Sequence, residues 1–309
     1  MTSNCSFDGV DNTMRYLELV IYIPIFLIGS IFNVAALVVF CVCLRKWTES
    51  TIYMTNLALM DLLLLLPLPF KMHAANNKWS THFQQLCSVL ENLYFVGIYG
   101  SVYIIMCIAV DRWVAICHPF RAKQVRSPKA AVMTCLGVWV LVFAAIFPVT
   151  HTFGEDRESQ FHCFHRFSKK GWSPGVIISL QAFGFLGPAV VIVCCSVHTI
   201  CTLRQSGHHS PQSQACVKII YSSLSAFLIP FTPSHLAIFL QFLVHQKAIQ
   251  ACSSKTSISL FLQVTMCLSN ITCCLDGLCY YFIASEVRSP RHRMSMIRLR
   301  KPTFSTSEV

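Results

Sequence analysis

The residues best suited to chemistry in this sequence are charged side chains that stand inside otherwise apolar stretches. Asp61 and Asp276 each lie within a long apolar run, and Asp111-Arg112 ends another, which begins at Cys87. A lone carboxylate in such surroundings must be protonated, paired or bound to a cation, because burying a free charge is costly. Two such carboxylates in one interior repel each other when both are ionised, unless a cation lies between them. Asp61 and Asp276 are therefore candidate ligands of a cation.

Lys71 is the candidate for binding an anion. It lies ten residues after Asp61, beside Pro67 and Pro69, which should kink a helix at this point. Two interpretations stay open: the lysine extends to a membrane interface, or the kink turns it inward as the counter-charge of an anion. Glu91 is its candidate neighbour, and in a further alternative these two side chains only pair with each other.

The sequence offers no group of residues for catalysis or for a structural metal centre. Cys273-Cys274 and Cys194-Cys195 are adjacent pairs, and neither a Cys-x-x-Cys motif nor a histidine pair stands at ligand spacing. A membrane enzyme would also need a nucleophile and a base at the same depth. We expect no catalytic residue, no bound metal apart from the cation above, and no other cofactor.

Composition indicates the elements that carry these residues. The chain has 309 residues, of which 54% are hydrophobic and 12% charged, and its mean hydropathy of +0.57 does not fit a soluble globule. Seven apolar runs are long enough to cross a bilayer as helices. They are residues 17–44, 51–75, 84–117, 128–149, 174–204, 214–244 and 256–283. We predict an all-α membrane protein: a seven-transmembrane helix bundle with an extracellular N-terminus and a short cytoplasmic amphipathic helix.

The distribution of basic residues predicts the orientation. Lysines and arginines are more frequent in the loops on one side and in the C-terminal tail, and that side should be cytoplasmic. The expected parts are an extracellular N-terminus (1–16), the seven-transmembrane domain (17–283) and a cytoplasmic tail (284–309). No cleavable signal peptide is apparent, so the first helix should insert the chain. The net charge of +11 sits at helix ends and in the tail, which argues against nucleic acid as a partner.

Extracellular residues suggest covalent features. Asn4-Cys5-Ser6 fits the glycosylation pattern, so Asn4 is a candidate acceptor. Cysteines in an oxidising compartment usually pair; Cys87 is a candidate partner of Cys163, and Cys5 of Cys252.

Several motifs occur in a definite order along the chain. They are Asn33 in the first span, the Leu-Ala-x-x-Asp run ending at Asp61, Asp111-Arg112-Trp113 after the third span, Trp139, Pro188, Phe227, Phe231-x-Pro233 and Asp276-x-x-x-Tyr280. This set resembles the rhodopsin-like (class A) G-protein-coupled receptors over nearly the whole chain. Residues 68–71, 93–95, 239–244 and 270–276 are most similar to the branch containing the receptor for lysophosphatidylinositol, also linked to cannabinoids, and its kynurenate-responsive relative.

The resemblance implies roles for individual residues. Arg112, held through Asp111 in the inactive state, would contact the Gα subunit when the sixth helix moves outward. The other expected activation residues are Phe227, Phe231, Pro233 and Tyr280. Of these, Tyr280 would swing in to support Arg112. Asp61, Ser101 and Asp276 would form a sodium pocket that favours the inactive state, and the disulfides would be Cys87–Cys163 and Cys5–Cys252.

The resemblance also implies a ligand and partners. The expected ligand is an anionic lysophospholipid such as lysophosphatidylinositol, bound by Lys71, Glu91, Tyr94, Phe95, Arg166, His235 and Phe239. A small organic acid like kynurenate is the alternative; a membrane transporter is the alternative from another class, although no internal repeat is found. Signalling would pass to Rho and calcium through a Rho-linked Gα, with Gαq or Gαi as alternatives. Arrestin and a PDZ protein at Ser307-Glu308-Val309 are further expected partners, and the plasma membrane is the expected location.

Departures from the family pattern affect mostly the cytoplasmic half. Trp113 replaces the usual tyrosine, and Ser196 stands where a tyrosine normally assists activation. Gly277 replaces a proline and Phe231 replaces a tryptophan. Trp113 and Ser196 bear on coupling strength and on basal activity, whereas Gly277 keeps a flexible point without a fixed bend.

Overall fold

The fold is described from a computed structural model that covers residues 7–45, 47–153, 160–161, 163–164, 169–205, 211–277 and 279–280. The α-helices of these residues are α1 Asp8–Leu37, α2 Glu49–Leu65, α3 Leu68–Asn76, α4 Gln84–Cys117, α5 Pro119–Val125, α6 Pro128–Phe153, α7 Pro174–Gln181, α8 Gly187–Gln205, α9 Pro211–His245 and α10 Cys252–Ser269. Asn4, Cys5, Arg166 and the tail lie outside the described residues. The predictions made for them, including glycosylation and the amphipathic helix, stay predictions.

Seven stretches of these helices are long and apolar enough to cross a membrane, which confirms the predicted helix bundle. They are Asn12–Leu44, Glu49–Asn76, Thr81–Cys117, Pro128–Pro148, Pro174–Gln205, Cys216–His245 and Cys252–Gly277, referred to below as the first to seventh spans. We call the end of the bundle that holds Lys71 and Cys87 the outer end. The end that holds Asp111-Arg112 is called the inner end.

The second span is interrupted where its prolines stand. Thr48 begins α2 with a capping box, in which its Oγ1 accepts a hydrogen bond from the Thr51 N–H and the Thr51 hydroxyl accepts one from the Thr48 N–H. α2 ends at Leu65, and α3 begins after Pro67. The predicted kink is therefore present, and it places Lys71 in the first turn of α3.

The sixth span stays helical through both of its prolines. Pro230 has no N–H to donate to the Ala226 carbonyl one turn earlier. The hydroxyl of Thr272, in the seventh span, donates to this carbonyl at 3.1 Å instead. Ser234 adds a second link, because its hydroxyl donates to the Thr265 carbonyl of α10 at 2.9 Å. These side chains satisfy the backbone near the prolines and join α9 to the last span.

The centre of the bundle is α4, which packs against α2, α6 and α8. Its contact with α2 is close because Gly97 has no side chain: a Cβ atom there would lie 2.5 Å from the backbone nitrogen of Leu64. Close approach of this kind lets helix backbones pack tightly inside a membrane. Asp61, Ser101 and Asp276 are all buried in this core.

A disulfide and a short strand pair fix the outer loop to the bundle. Cys87 is bonded to Cys163, as predicted, with a Cα–Cα distance of 5.9 Å. β1 (Trp79–Ser80) pairs antiparallel with β2 (Gln160–Phe161) just before Cys163. The loop residue Phe164, next to Cys163, is thereby held over the outer end. Cys252 is also disulfide-bonded; its expected partner Cys5 is not among the described residues.

Candidate functional site

Aromatic rings surround the Lys71 ammonium at the outer end. Its Nζ atom lies 4.4 Å from the centre of the Tyr94 ring, 5.3 Å from that of Tyr22 and 5.8 Å from that of Phe164. Such distances are within the range of cation–π attraction. We call Tyr22, Tyr94 and Phe164 the aromatic cage. Lys71 therefore points into the bundle, which decides between the two interpretations left open by the sequence.

Within the described residues, Lys71 forms no ion pair. Its one hydrogen bond goes to the Tyr94 hydroxyl at a long 3.4 Å. Glu18 of the first span is near enough to interact with it electrostatically, but not within ion-pair distance. The Glu91 carboxylate accepts a hydrogen bond from the Phe164 N–H at 3.1 Å. The alternative that Lys71 and Glu91 only pair with each other is not realised, because Glu91 turns to the disulfide-bonded loop.

Two of the residues predicted to bind the ligand contact each other: Tyr94, which belongs to the cage, and Phe95, which lies beside it. Phe95 packs edge-on against Tyr94, with ring centres 5.5 Å apart, and Tyr94 contacts Phe164 in the same way at 6.2 Å. Tyr94 is buried, whereas Phe95 is half-buried. These rings form an apolar wall next to a cation.

Phe239, in contrast, does not line the interior. It is 46% exposed and continues a stripe of exposed side chains on α9 that includes Ile229 and Leu236. Residues spaced by three, four and seven positions share one face of a helix, so this stripe faces outward. The family resemblance predicted that both Phe239 and His235 bind the ligand, but only His235 is buried.

His235 is buried and makes polar contacts that the sequence did not indicate. The Gln181 side chain of α7 donates to the His235 carbonyl at 2.9 Å, and its oxygen contacts Nδ1 of the ring at 3.1 Å. Phe185 lies parallel to the imidazole, with ring centres 4.7 Å apart. His235 is therefore a hydrogen-bonding group within an aromatic stack rather than a plain apolar wall.

The same stack continues toward the inner end. Phe185 also stacks on Phe227 at 5.8 Å, and Phe227 contacts Phe231 at 5.6 Å. Phe227 and Phe231 were both expected to take part in activation. The structure joins them to His235 through Phe185, which the sequence analysis did not single out.

The predicted cation site is a compact polar cluster in the middle of the bundle. The Asp61 carboxylate accepts hydrogen bonds from the Ser101 hydroxyl at 2.8 Å and from the Tyr280 hydroxyl at 3.0 Å. The Tyr280 hydroxyl also lies 2.8 Å from the Asn33 side-chain oxygen. Asn33 in turn donates to the Cys273 carbonyl at 3.0 Å. The Tyr280 hydroxyl therefore contacts Asp61 and Asn33 in the core of the bundle rather than Arg112.

Asp276 is the residue of this cluster that lacks a partner. It is completely buried, and neither of its carboxylate oxygens makes a hydrogen bond to a described residue. It interacts electrostatically with Asp61. An unsatisfied buried carboxylate next to a second one is unfavourable unless a proton or a cation compensates it. The donor set of two carboxylates and a hydroxyl fits a hard cation such as sodium.

At the inner end, Asp111 pairs with Arg126 instead of with its neighbour Arg112. Arg126 Nε and Nη2 donate to the two Asp111 oxygens at 2.8 and 2.9 Å. The Glu49 carboxylate lies 3.9 Å from Arg126 Nη2. Burial alone would lower the pKa of the Arg126 guanidinium, but Asp111 outweighs it and raises that pKa. Arg112 donates to the Ser50 hydroxyl at 3.1 Å. Consecutive residues of a helix point in different directions, which explains the separation.

Trp113 links the third span to the fifth. Its indole N–H donates to Nδ1 of His198 at 2.9 Å, and its ring packs edge-on against His118 at 4.8 Å. Next to Arg112 the space between the helices, bordered also by Ser196, is only about 10 Å³. A cavity of this size is too small to admit a peptide segment.

Sequence reasoning missed several residues of these sites. Glu18 could have been found, because it lies within the first apolar run, 17–44, and a carboxylate in a membrane span is unusual. Tyr22, Gln181 and Phe185 gave no such signal, since aromatic and amide side chains are common in spans. Arg126 is one of the basic residues that predicted the orientation, and no motif indicated its ion pair with Asp111.

Comparison with known proteins supplies the family. The sequence profile described as "7 transmembrane receptor (rhodopsin family)" matches residues 32–296. The chain is 40% identical over 307 residues to "G-protein coupled receptor 55" of Homo sapiens, covering 96% of this chain and 95% of that protein. It is 31% identical over 302 residues to "Lysophosphatidic acid receptor 4" of Homo sapiens, covering 94% and 80%. It is 33% identical over 274 residues to "G-protein coupled receptor 35" of Homo sapiens, covering 86% and 83%.

Proposed function

The chain belongs to the rhodopsin family of seven-transmembrane receptors, and on this premise we propose that it is a receptor for an anionic lysophospholipid, lysophosphatidylinositol first of all. It is a multi-pass membrane protein and a receptor, not an enzyme. The same assignment removes the transporter alternative. The proposal adds a ligand class and a signalling route to this family membership.

The observation that carries the proposal is the Lys71 ammonium, which points inward and has no ion-pair partner among the described residues. A cation in a partly desolvated site gains most from an anion that enters, because charge-assisted hydrogen bonds contribute about 1.5–3 kcal/mol. Cation–π attraction holds Lys71 in place without neutralising it. A phosphate group of a lipid is a suitable anion.

The apolar part of the ligand has a matching surface. Tyr94, Phe95 and Phe164 form an apolar wall beside the ammonium. One of the relatives is named as a receptor for lysophosphatidic acid, an anionic lysophospholipid. Charge and apolar surface side by side fit a headgroup and the start of an acyl chain.

A small aromatic acid is the second candidate. Three rings around one ammonium also suit a flat carboxylate ligand such as kynurenate, which would stack on the rings while its carboxylate pairs with Lys71. This candidate needs no acyl chain. The two ligands can be compared in the same cells.

We further propose the signalling route that the family resemblance implies. With its N-terminus outside at the plasma membrane, the receptor would activate a Rho-linked Gα, or Gαq or Gαi, at the inner end around Arg112, leading to Rho and calcium. Arrestin and a PDZ protein would bind the tail. A ligand that prefers the open bundle and a G protein that prefers the same state stabilise each other reciprocally.

A sodium ion between Asp61, Ser101 and Asp276 is part of the proposal. The uncompensated Asp276 carboxylate supports it. When bound, the ion would supply positive charge to two buried carboxylates, and it would favour the closed bundle in which Tyr280 contacts Asp61.

The test is a Rho-reporter assay in cells that express the wild-type chain, Lys71→Met, Lys71→Arg or Arg112→Ala. Lys71→Met keeps the length of the side chain and removes the charge, so the response to lysophosphatidylinositol should need about 10- to 150-fold more ligand. Lys71→Arg should retain much of it. Lys78→Met is the matched control, because Lys78 is an exposed lysine after α3. Arg112→Ala should remove the signal at every ligand concentration.

Surface expression is measured in parallel, and kynurenate is tested beside the lipid. A normal response of Lys71→Met at normal surface level would contradict the anion site. A response to kynurenate alone would favour the second candidate. Silence of a surface-expressed wild-type chain to both ligands would refute the ligand proposal and leave the family assignment intact.

A further inference from the structure

The contact between Gln181 and His235 determines which atoms of each side chain carry hydrogen. The His235 backbone carbonyl can only accept a hydrogen bond, and the Gln181 side chain lies 2.9 Å from it. The amide must therefore present its NH₂ group to the carbonyl. The Gln181 oxygen is then the atom that lies 3.1 Å from Nδ1 of the imidazole.

This amide orientation determines the tautomer of the imidazole. An amide oxygen only accepts hydrogen bonds, so Nδ1 must carry the hydrogen in this contact. In the neutral ring one nitrogen donates and the other accepts. Nε2 of His235 is therefore an acceptor with a free lone pair.

Nε2 lacks a partner but remains accessible. It makes no hydrogen bond to a described residue, although His235 as a whole is only 4% exposed. Among the described residues, the completely enclosed side-chain atoms without a partner are Gln241 Oε1, Asn270 Oδ1 and the two Asp276 oxygens. Nε2 is not one of them, so part of its surface remains accessible. An acceptor held in such a place favours a ligand that brings a hydrogen-bond donor.

We propose that His235, oriented by Gln181, accepts a hydrogen bond from the glycerol hydroxyl of the lysophospholipid. This inference rests on the proposed function and specifies how the receptor distinguishes a lysophospholipid, whose glycerol keeps a free hydroxyl, from a lipid in which that oxygen is acylated. His235 contacts the ligand, and Gln181 is a positioning residue.

The surroundings favour the glycerol hydroxyl over those of an inositol ring. Phe185 stacks on His235, and Phe227 lies next in the stack, so the Nε2 acceptor adjoins apolar aromatic surface. An inositol ring would bury several hydroxyl groups there without partners, which is costly. A glycerol hydroxyl needs one partner, and it adjoins the acyl chain that apolar surface attracts.

The first experiment measures the tautomer and needs no ligand. Purified wild-type receptor with ¹⁵N-labelled histidine is compared by NMR with His235→Phe, and the difference gives the ring nitrogen signals of His235. We expect the Nδ1–H form in the wild type, and its loss or mixing with the Nε2–H form in Gln181→Leu. An Nε2–H form in the wild type would overturn the inference.

The second experiment compares lysophosphatidylinositol with an analogue that lacks the glycerol hydroxyl. In the wild type the analogue should need about 5- to 30-fold more ligand for the same Rho response. His235→Phe, which keeps an aromatic ring for stacking, should respond equally to both lipids, and Gln181→Leu should discriminate less than the wild type. His245→Phe is the matched control: it lies on the same helix and also stacks on an aromatic ring, Trp172, and it should discriminate like the wild type.

The outcomes separate the two proposals. If the wild type responds equally to both lipids, the role of His235 is wrong and the lysophospholipid receptor stands. If His235→Phe still distinguishes the two lipids as the wild type does, another group binds the glycerol hydroxyl and the inference is overturned. If the wild type at the cell surface gives no Rho response to either lipid, the proposed function is wrong, and the role of His235 in binding a lysophospholipid is wrong with it.

Discussion

Charged groups have different kinds of partner at the two ends of the bundle. At the outer end the Lys71 ammonium is surrounded by aromatic rings and has no ion-pair partner among the described residues. At the inner end the Asp111 carboxylate accepts two hydrogen bonds from Arg126, and Glu49 is close by. The outer charge is held in place but not neutralised, whereas the inner one is neutralised within the chain.

The difference indicates where a partner from outside the chain is expected. A partly buried pair loses stability when one member is removed, because the other charge is left without compensation. A cation that is held mainly by aromatic rings and forms no ion pair keeps most of its capacity to bind an anion. The outer end is therefore ready for a ligand, and the inner end must break its own contacts before it can accept a G protein.

Arg126→Met tests the inner end, and it should have a larger effect than substitutions in the polar cluster or at Trp113. It leaves Asp111 unpaired, so we expect a loss of about 1–3 kcal/mol in stability, less than for a fully buried pair because Arg126 is partly exposed. The measurements are thermal unfolding of the purified receptor and Rho signalling without ligand, which should increase. Lys123→Met, an exposed lysine on α5, is the control. Unchanged basal signalling would mean that the ion pair does not restrain activation.

Asp276→Asn tests the polar cluster between the two ends. If a sodium ion compensates the buried carboxylates, replacing choline by sodium should stabilise the wild type by about 1–2 kcal/mol at 10 to 30 times the dissociation constant. In Asp276→Asn that difference should disappear. Glu18→Gln serves as the comparison, because Glu18 lies near Lys71 instead. A sodium effect that survives in Asp276→Asn would argue for a protonated carboxyl at this position.

Trp113→Phe should have the smallest effect. It removes the hydrogen bond to His198 and keeps a ring beside His118, so a loss of about 0.5–1.5 kcal/mol is expected. A double-mutant cycle with His198→Phe, followed by thermal unfolding, measures the coupling. Trp47→Phe, an exposed tryptophan before α2, is the control. Additive effects of the two substitutions would show that the bond contributes nothing to the inner end.

Much of the architecture could be predicted because it depends on composition and local order. The lengths of the apolar runs predicted the seven spans, and Pro67 with Pro69 predicted the interruption of the second span. The Cys87–Cys163 disulfide was also predicted correctly. These features follow from bilayer thickness, from missing proline N–H groups and from cysteines beside outer loops, none of which requires the helices to be placed.

Individual partners could not be predicted with the same success. Asp111 was expected to hold Arg112, but it binds Arg126 from the next inner segment. Phe239 was expected to bind the ligand, yet its side chain faces outward. Both errors have one cause: a motif gives residue types and order, while the direction of a side chain depends on how each helix is rotated against its neighbours.

The sequence alone determined that this chain crosses a membrane seven times, that two carboxylates lie deep inside it and that a lysine stands near one end. Tertiary structure decided which of these charges is satisfied. Asp61 accepts hydrogen bonds from Ser101 and Tyr280, whereas Asp276 accepts none from the described residues. The reason is physical: burial of a charged residue follows from its position in an apolar run, but its compensation depends on atoms that only packing brings within about 3 Å.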